Sequence, residues 1–401
     1  MLVTFYTVLL LGSALVAVGL VAGMYSSRVG VSHLLVFLVV GMLAGVDGPL
    51  GLSFSDHRLS FGLGNVALAL ILLDGGVRTP WSSLRLAWAP AFALASVGVV
   101  ATSAIVGAAA AWMLRLDWQH ALLLGAVVAP TDAAAVFGQL RRSGIALPQR
   151  LAATIEIESG FNDPMAVFIV VSLIALAGAP ATESGSVLVL FVQQFVGGVA
   201  IGVAAGRLAA AGLRRLPMEP PEDGLGALLL ASLALAAYAV AGLLDASGFL
   251  AAYLCGLVCA HHAPRSVAPL LGALNGHTWI AQSVLFLLLG LLVTPHELMR
   301  LATPALVVAL VLMFVARPAA VALCLTPLGF GWREQLFAGW VGLRGAVPIV
   351  LAGYPVIAGL EGGQRTFDLA FVVVLASLLL QGPSVGALAR RLGLDPGAER
   401  G

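Results

Sequence analysis

"VVAPTDAAAVF", residues 127–137, sets a proline, a threonine and an aspartate inside an apolar stretch long enough to cross a bilayer. A carboxylate is expensive in hydrocarbon and marks a functional candidate by default. Pro130 withholds a backbone donor and disfavours helix in the residue before it. A helix interrupted here leaves carbonyls and amides free to face a cavity, with Thr131 and Asp132 at the interruption.

Of the 401 residues, 60% are hydrophobic and only 10% charged, and several uninterrupted apolar runs match the thickness of a bilayer. A soluble chain of this size needs more charged surface, and a membrane barrel alternates in short segments rather than in solid blocks. The sequence therefore reads as an all-α polytopic membrane protein whose partner is the lipid bilayer. A net charge of +1 argues against nucleic acid. All 20 basic residues are arginine, so a basic group within the membrane is a fixed charge rather than a proton carrier. Cys255 and Cys259, with His261 and His262 nearby, and Cys324 in another span, read as small buried side chains rather than as a disulfide or metal framework.

Polar breaks divide the chain into about thirteen spans, from one near residues 3–22 to one near 366–389. The first lacks a basic start and is expected to be a retained helix rather than a signal peptide. Arginines cluster on alternate breaks, among them Arg78, Arg141, Arg142, Arg214 and Arg215, against Arg58, Arg115, Arg300 and Arg365 on the others. This bias predicts an outer N-terminus and a cytoplasmic C-terminus in an inner membrane. A second interruption, at Gly345 and Pro348 after Arg344, occupies a place in the second half comparable to that of Pro130 in the first. Paired broken helices predict inverted repeats with a site at the midplane. Gly198, Gly202 and Gly206 lie on one face of the seventh span and predict close helix packing there.

The deepest ionisable residues are Asp74, Asp132, Glu158, Asp163, Arg317 and Arg344, with Glu156 similar. In "IEIESGFNDPMAVF", residues 155–168, helical periodicity puts Glu156, Ser159 and Asp163 on one face and Glu158 with Asn162 on another. The first face, with Thr131 and Asp132, offers two carboxylates, hydroxyls and backbone oxygens, which suits a partly dehydrated hard cation. The second needs a basic partner, which Arg344 or Arg317 can supply. A proton and a cation compete for the same carboxylates, and that competition yields obligatory exchange if only the loaded site crosses the barrier.

At these residues the chain resembles the NhaP-type monovalent cation/proton antiporters, most closely their bacterial potassium/proton branch. "GMLAGVDGPLG", "LALILLDGGVRT", "PTDAAAVF", "EIESGFNDPMAVF", "GFLAAYLCG" and "WVGLRGAVPIVLA" occur in that family's order and spacing, over nearly the whole chain. The resemblance implies a homodimer of thirteen-helix inverted-repeat subunits, in which a core domain moves like an elevator against a dimerisation domain. By that analogy residues 1–85 and 181–299 belong to the dimerisation part, 86–180 and 300–390 to the core, and 391–401 to a short cytoplasmic tail. It implies an alkali cation held at Asp132, Asp163, Ser159 and Thr131, with Asp74 as the third-span acid. It also implies a supporting pair of Glu158 with Arg344, aided by Asn162. Asn162 in place of a second aspartate resembles the electroneutral members, so one proton per potassium or sodium ion is expected, in the service of pH homeostasis and with no cofactor. Many relatives of the potassium branch carry a regulatory domain beyond the last helix, where this sequence has only the tail. Potassium is the expected ion and sodium the alternative.

A channel would need a repeated filter or a ring of charges, which the sequence lacks. For an enzyme, "HELMR" at 296–300 lacks the second histidine of a zinc helix, so the sequence reads as a transporter.

Overall fold

The computed structural model describes residues 2–26, 32–52, 56–178, 187–215 and 223–395, and every regular element among them is helical. In chain order these are α1 Leu2–Ser26, α2 His33–Ala44, α3 His57–Arg78, α4 Trp81–Ala93, α5 Val99–Leu114, α6 Trp118–Val128, α7 Ala133–Arg142, α8 Gln149–Gly178, α9 Val187–Arg215 and α10 Asp223–Leu243. There follow α11 Gly248–His262, α12 Pro264–Val267, α13 Leu271–Leu291, α14 Pro295–Val311, α15 Arg317–Leu325, α16 Trp332–Trp340, α17 Val347–Ile357, α18 Gly363–Leu380 and α19 Val385–Arg391. Ten helical stretches among the described residues are long and apolar enough to cross a membrane, against about thirteen expected. α2, α11 and α17 are apolar but shorter.

The helices pack in two groups. α2 and α3 lie on α13, α3 and α9 on α11, and α10 on α9 and α11. α4 packs on α8, α5 on α6, α14 and α17 on α18, and α15 on α16. The groups meet where α3 touches α17 and α8, and where α8 touches α9 and α11. With no hydrophobic drive between helices in lipid, close backbone approach has to hold them. It is supplied by reciprocal glycines. A β-carbon on Gly41 of α2 would come 2.9 Å from Gly290 Cα of α13, and one on Gly290 the same distance from Gly41 Cα. Gly76 of α3 and Gly256 of α11 meet each other's helix in the same way, against the backbones of Tyr253 and Leu73. The glycine face of α9 meets α11, with Gly202 against Ala251 and Gly206 against Cys255.

The repeat is legible in two kinds of irregularity. α4 runs into α5 through a π-helical turn at Leu94–Gly98, and α14 into α15 through one at Leu312–Ala316. Each turn packs against the opposite half, the first on α15 and the second on α5. The α6–α7 crossing is opened at residues 129–132, and α16 and α17 are separated at 341–346. Pro348 does not cause the second opening, as the sequence suggested. It lies in the first turn of α17, where the missing N–H would have no partner in any case. The irregular residues are Val341 to Ala346, with Arg344 among them.

Candidate functional site

The two openings cross and are stitched together. The Asp132 N–H donates to the Leu343 carbonyl at 2.7 Å, joining the first opening to the second through the backbone. The Asp132 carboxylate caps α7, accepting from the Ala135 N–H at 3.0 Å, so a negative group sits at the positive end of that half-helix. The opposite end has a complementary partner, because Arg344 donates to the carbonyls of Ala129 and Pro130, the second at 2.7 Å, just past the end of α6. Gly345 must lack a side chain, since a β-carbon there would run into the Asp132 carboxylate.

Each opening is bridged by a serine on the long helix beside it. On α8 the Ser159 hydroxyl donates to the Thr131 carbonyl at 3.0 Å and accepts from the Ala133 N–H at 3.1 Å. On α18 the Ser377 hydroxyl accepts from the Arg344 N–H at 3.1 Å and donates to Gln381, whose amide reaches the Trp340 carbonyl at 2.6 Å. These freed backbone groups are thereby satisfied within the protein, as an opened helix in hydrocarbon requires.

The two polar faces of α8 lead to different places. Glu158, with no exposed surface, is held by Arg317 through two hydrogen bonds of 2.6 and 2.8 Å. The pairing with Arg344 implied by the family resemblance is corrected here: the π turn at Leu312–Ala316 ends immediately before Arg317, which takes Glu158, while Arg344 is occupied by the carbonyls. Asn162 is not bonded to Glu158 either; its amide donates to the Thr131 hydroxyl at 2.8 Å.

The other face of α8 opens on a cavity of about 800 Å³, lined by Asp74, Thr131, Asp132, Glu156, Ser159 and Asp163. Glu158, Asn162, Arg317 and Arg344 are absent from its wall. Asp163 is 4% exposed, and its Oδ1 has no hydrogen-bond partner among the described residues. It lies within electrostatic reach of Asp132. Asp74 gives one oxygen to Arg78 at 2.8 Å, while its other oxygen is buried and has no partner among the described residues. At one end the lining takes in Arg78 of α3, Arg141 and Arg142 of α7, His33 of α2 and Leu271 of α13. Arg78 also donates to the Leu271 carbonyl, so the end of α3 meets the start of α13.

A carboxylate pair at a broken helix on a cavity wall, with the nearby guanidinium groups engaged elsewhere, is an arrangement for neutralisation by something that enters. The family model for the transmembrane sodium/hydrogen exchanger matches residues 13–391. The chain belongs to the sodium/hydrogen exchanger family. Among relatives of this exchanger chain, the K(+)/H(+) antiporter NhaP of Alkalimonas amylolytica is 44% identical over 395 residues, covering 98% of the chain and 68% of the relative. The K(+)/H(+) antiporter NhaP2 of Shewanella oneidensis is 47% identical over 384 residues, 95% of the chain and 66% of the relative. The chain thus spans about two thirds of the length of these relatives. The Na(+)/H(+) antiporter NhaP of Pseudomonas aeruginosa is 31% identical over 356 residues, 81% of the chain and 80% of the relative. In fold, the exchanger chain matches the sodium proton antiporter MjNhaP1 of Methanocaldococcus jannaschii with a TM-score of 0.81 at 22% identity, over 97% of this chain and 99% of that one.

Sequence reasoning missed Ser377 and Gln381, which serve the second opening. Their signal was their spacing of four residues, Ser377 in the last turn of α18, the counterpart of α8, and Gln381 just past its end, but two neutral polar residues near a span end gave no reason to choose them.

Proposed function

We propose that this chain exchanges a monovalent alkali cation for a proton across the inner membrane, with potassium as the ion and Asp132 and Asp163 as the carrying pair. The observation that carries the reading is the division of charge around α8. Arg317 is committed to Glu158 and Arg344 to the carbonyls of Ala129 and Pro130, so neither answers the negative charge of Asp163, a cavity-lining residue whose buried Oδ1 has no hydrogen-bond partner among the described residues. Two adjacent carboxylates in a buried site cannot both stay ionised and uncompensated. A proton or a cation has to neutralise them, and each excludes the other.

Thr131 and Ser159 supply the neutral oxygens a dehydrated cation needs beside the pair. Asp74 stands on the same wall, tethered to Arg78. Asn162 adds no charge, which supports one proton per cation and an electroneutral cycle. Both relatives that the chain matches at 44% and 47% identity are named for potassium, and the 31% relative for sodium; this favours potassium and leaves sodium as the second reading. The helix group around α3, α9, α11 and α13 is assigned to the dimerisation part. The group around α4 to α8 and α14 to α18 is assigned to the part that moves. The arginines at the end of the cavity support a mouth on the cytoplasmic side, with the N-terminus outside.

Proteoliposomes with a fluorescent pH reporter test the reading. Potassium added to one side should drive protons the other way at a rate indifferent to a clamped membrane potential, and Asp163→Asn should abolish the movement while the purified protein keeps its elution volume. Activity with sodium alone would transfer the assignment to the second ion. Normal turnover in Asp163→Asn would dismiss the site.

A further inference from the structure

Glu156 has no part in the machinery described so far, yet it lies on the cavity wall beside that machinery. It precedes Ser159 by three residues and Asp163 by seven, so it shares their face of α8. At 1.5 Å per residue it stands roughly 10 Å nearer the start of α8 than Asp163 does. The rest of the wall near that end is basic, with Arg78, Arg141 and Arg142. Arg78 is offset by Asp74, its ion-pair partner. The Glu156 carboxylate forms no hydrogen bond or ion pair among the described residues, and it lies within electrostatic reach of Tyr253, which packs against Gly160 one helical turn on.

A cation travelling from the mouth to Asp132 and Asp163 first passes guanidinium groups that repel it. In a narrow cavity with low-dielectric walls that repulsion is poorly screened, and a carboxylate of uncompensated charge along the way lowers the barrier and raises the local cation concentration. We infer that Glu156 is an approach residue: it recruits the cation past the arginine rim and hands it to the aspartate pair without being part of the pair. This inference rests on the exchange reading given above. The titratable and charged groups that share the cavity wall with Glu156 are His33 from α2, Asp74 and Arg78 from α3, Asp132, Arg141 and Arg142 from the α6–α7 crossing, Asp163 from α8 and Tyr253 from α11.

The test is cation-driven proton movement in proteoliposomes at varied potassium, at low ionic strength, with KM and maximal rate obtained separately. Glu156→Gln should raise KM about fivefold and leave the maximal rate within twofold, the scale of losing one unit charge about 10 Å from the ion in a partly wet cavity. Glu156→Asp should restore most of the KM. Choline chloride, which screens without being carried, should shrink the difference between Glu156→Gln and the parent. Glu156→Ala is a second neutral replacement should the glutamine variant not fold, and it must show the same rise in KM. An unchanged KM, or a fall in maximal rate at constant KM, overturns the approach role. A parent protein that moves no protons in response to any alkali cation overturns the exchange reading and this inference with it.

Discussion

Glu158 and Arg317 are both almost wholly buried, and they are joined by two hydrogen bonds. Removing one partner leaves the other charge buried and alone, which costs about 3–5 kcal/mol. Glu158→Gln should therefore cut the yield of folded protein and lower its melting temperature in detergent, while the surviving fraction keeps its apparent ion affinity. The paired change Glu158→Gln with Arg317→Met should recover much of the yield, because it leaves no orphaned charge. A weakened ion affinity at normal yield would instead put Glu158 in the ion site. The separation of Glu158 from Asp163 was legible in the sequence, because four intervening residues decide which face of a helix each occupies. The identity of the partner was not. Arg317 and Arg344 both lie at membrane depth in the sequence, and the choice between them is made by the π turn before Arg317 and by the free carbonyls of Ala129 and Pro130. Periodicity assumes a regular helix and does not foresee either.

Broken helices need their ends satisfied, and so do helices that begin at the membrane surface. The start of α14 is capped from a distance: Asp47, in the connection after α2, accepts from the His296 backbone N–H at 2.8 Å and from its ring at 2.6 Å. The backbone hydrogen bond first, and then the ring beside it, hold the Asp47 carboxyl below its ordinary value. A carboxyl depressed in the folded state stabilises the fold above its unfolded pKa, and that contribution is lost as pH falls through the folded value. Asp47→Ala should thus melt at lower temperature than the parent at pH 7, and the gap should narrow as pH drops below about 4. A gap that is constant with pH would mean that the side chain contributes by packing and not by charge. Sequence alone exposes the first interruption because a proline and an aspartate advertise it. The second was assigned to Gly345 and Pro348, yet Pro348 sits comfortably in α17 and the opening is kept by Arg344, by Ser377 of α18 and by Gln381 just past the end of that helix. Contacts between spans far apart in the chain carry no local signature.

The two helix groups differ in how their contacts could yield. Within the first, glycine pairs lock α2 to α13 and α3 to α11 at backbone distance, and any sliding would drive side chains into backbone. Between the groups, α8 faces α9 through aromatic rings, with Phe168 against Phe191 at 4.9 Å and Phe92 of α4 against Phe195 at 6.2 Å. Rings meeting edge to face can exchange neighbours without breaking hydrogen bonds, so this seam suits the proposed motion and the glycine pairs do not. The cavity lies between the same groups, with Asp132 and Asp163 on one side and α3 and α13 on the other. In the proposed motion the seam shifts to expose that pair to the other side of the membrane. In a background with Cys255, Cys259 and Cys324 replaced by alanine, a short thiol cross-link between Phe168→Cys and Phe191→Cys should stop exchange, and reduction should restore it. The same cross-link between Tyr238→Cys and Phe249→Cys, whose rings are 5.2 Å apart on α10 and α11 within the first group, should leave exchange intact. Exchange that survives the first cross-link would mean that the pair gains access through movements inside the second group, with the opened residues around Asp132 and Arg344 as the gate.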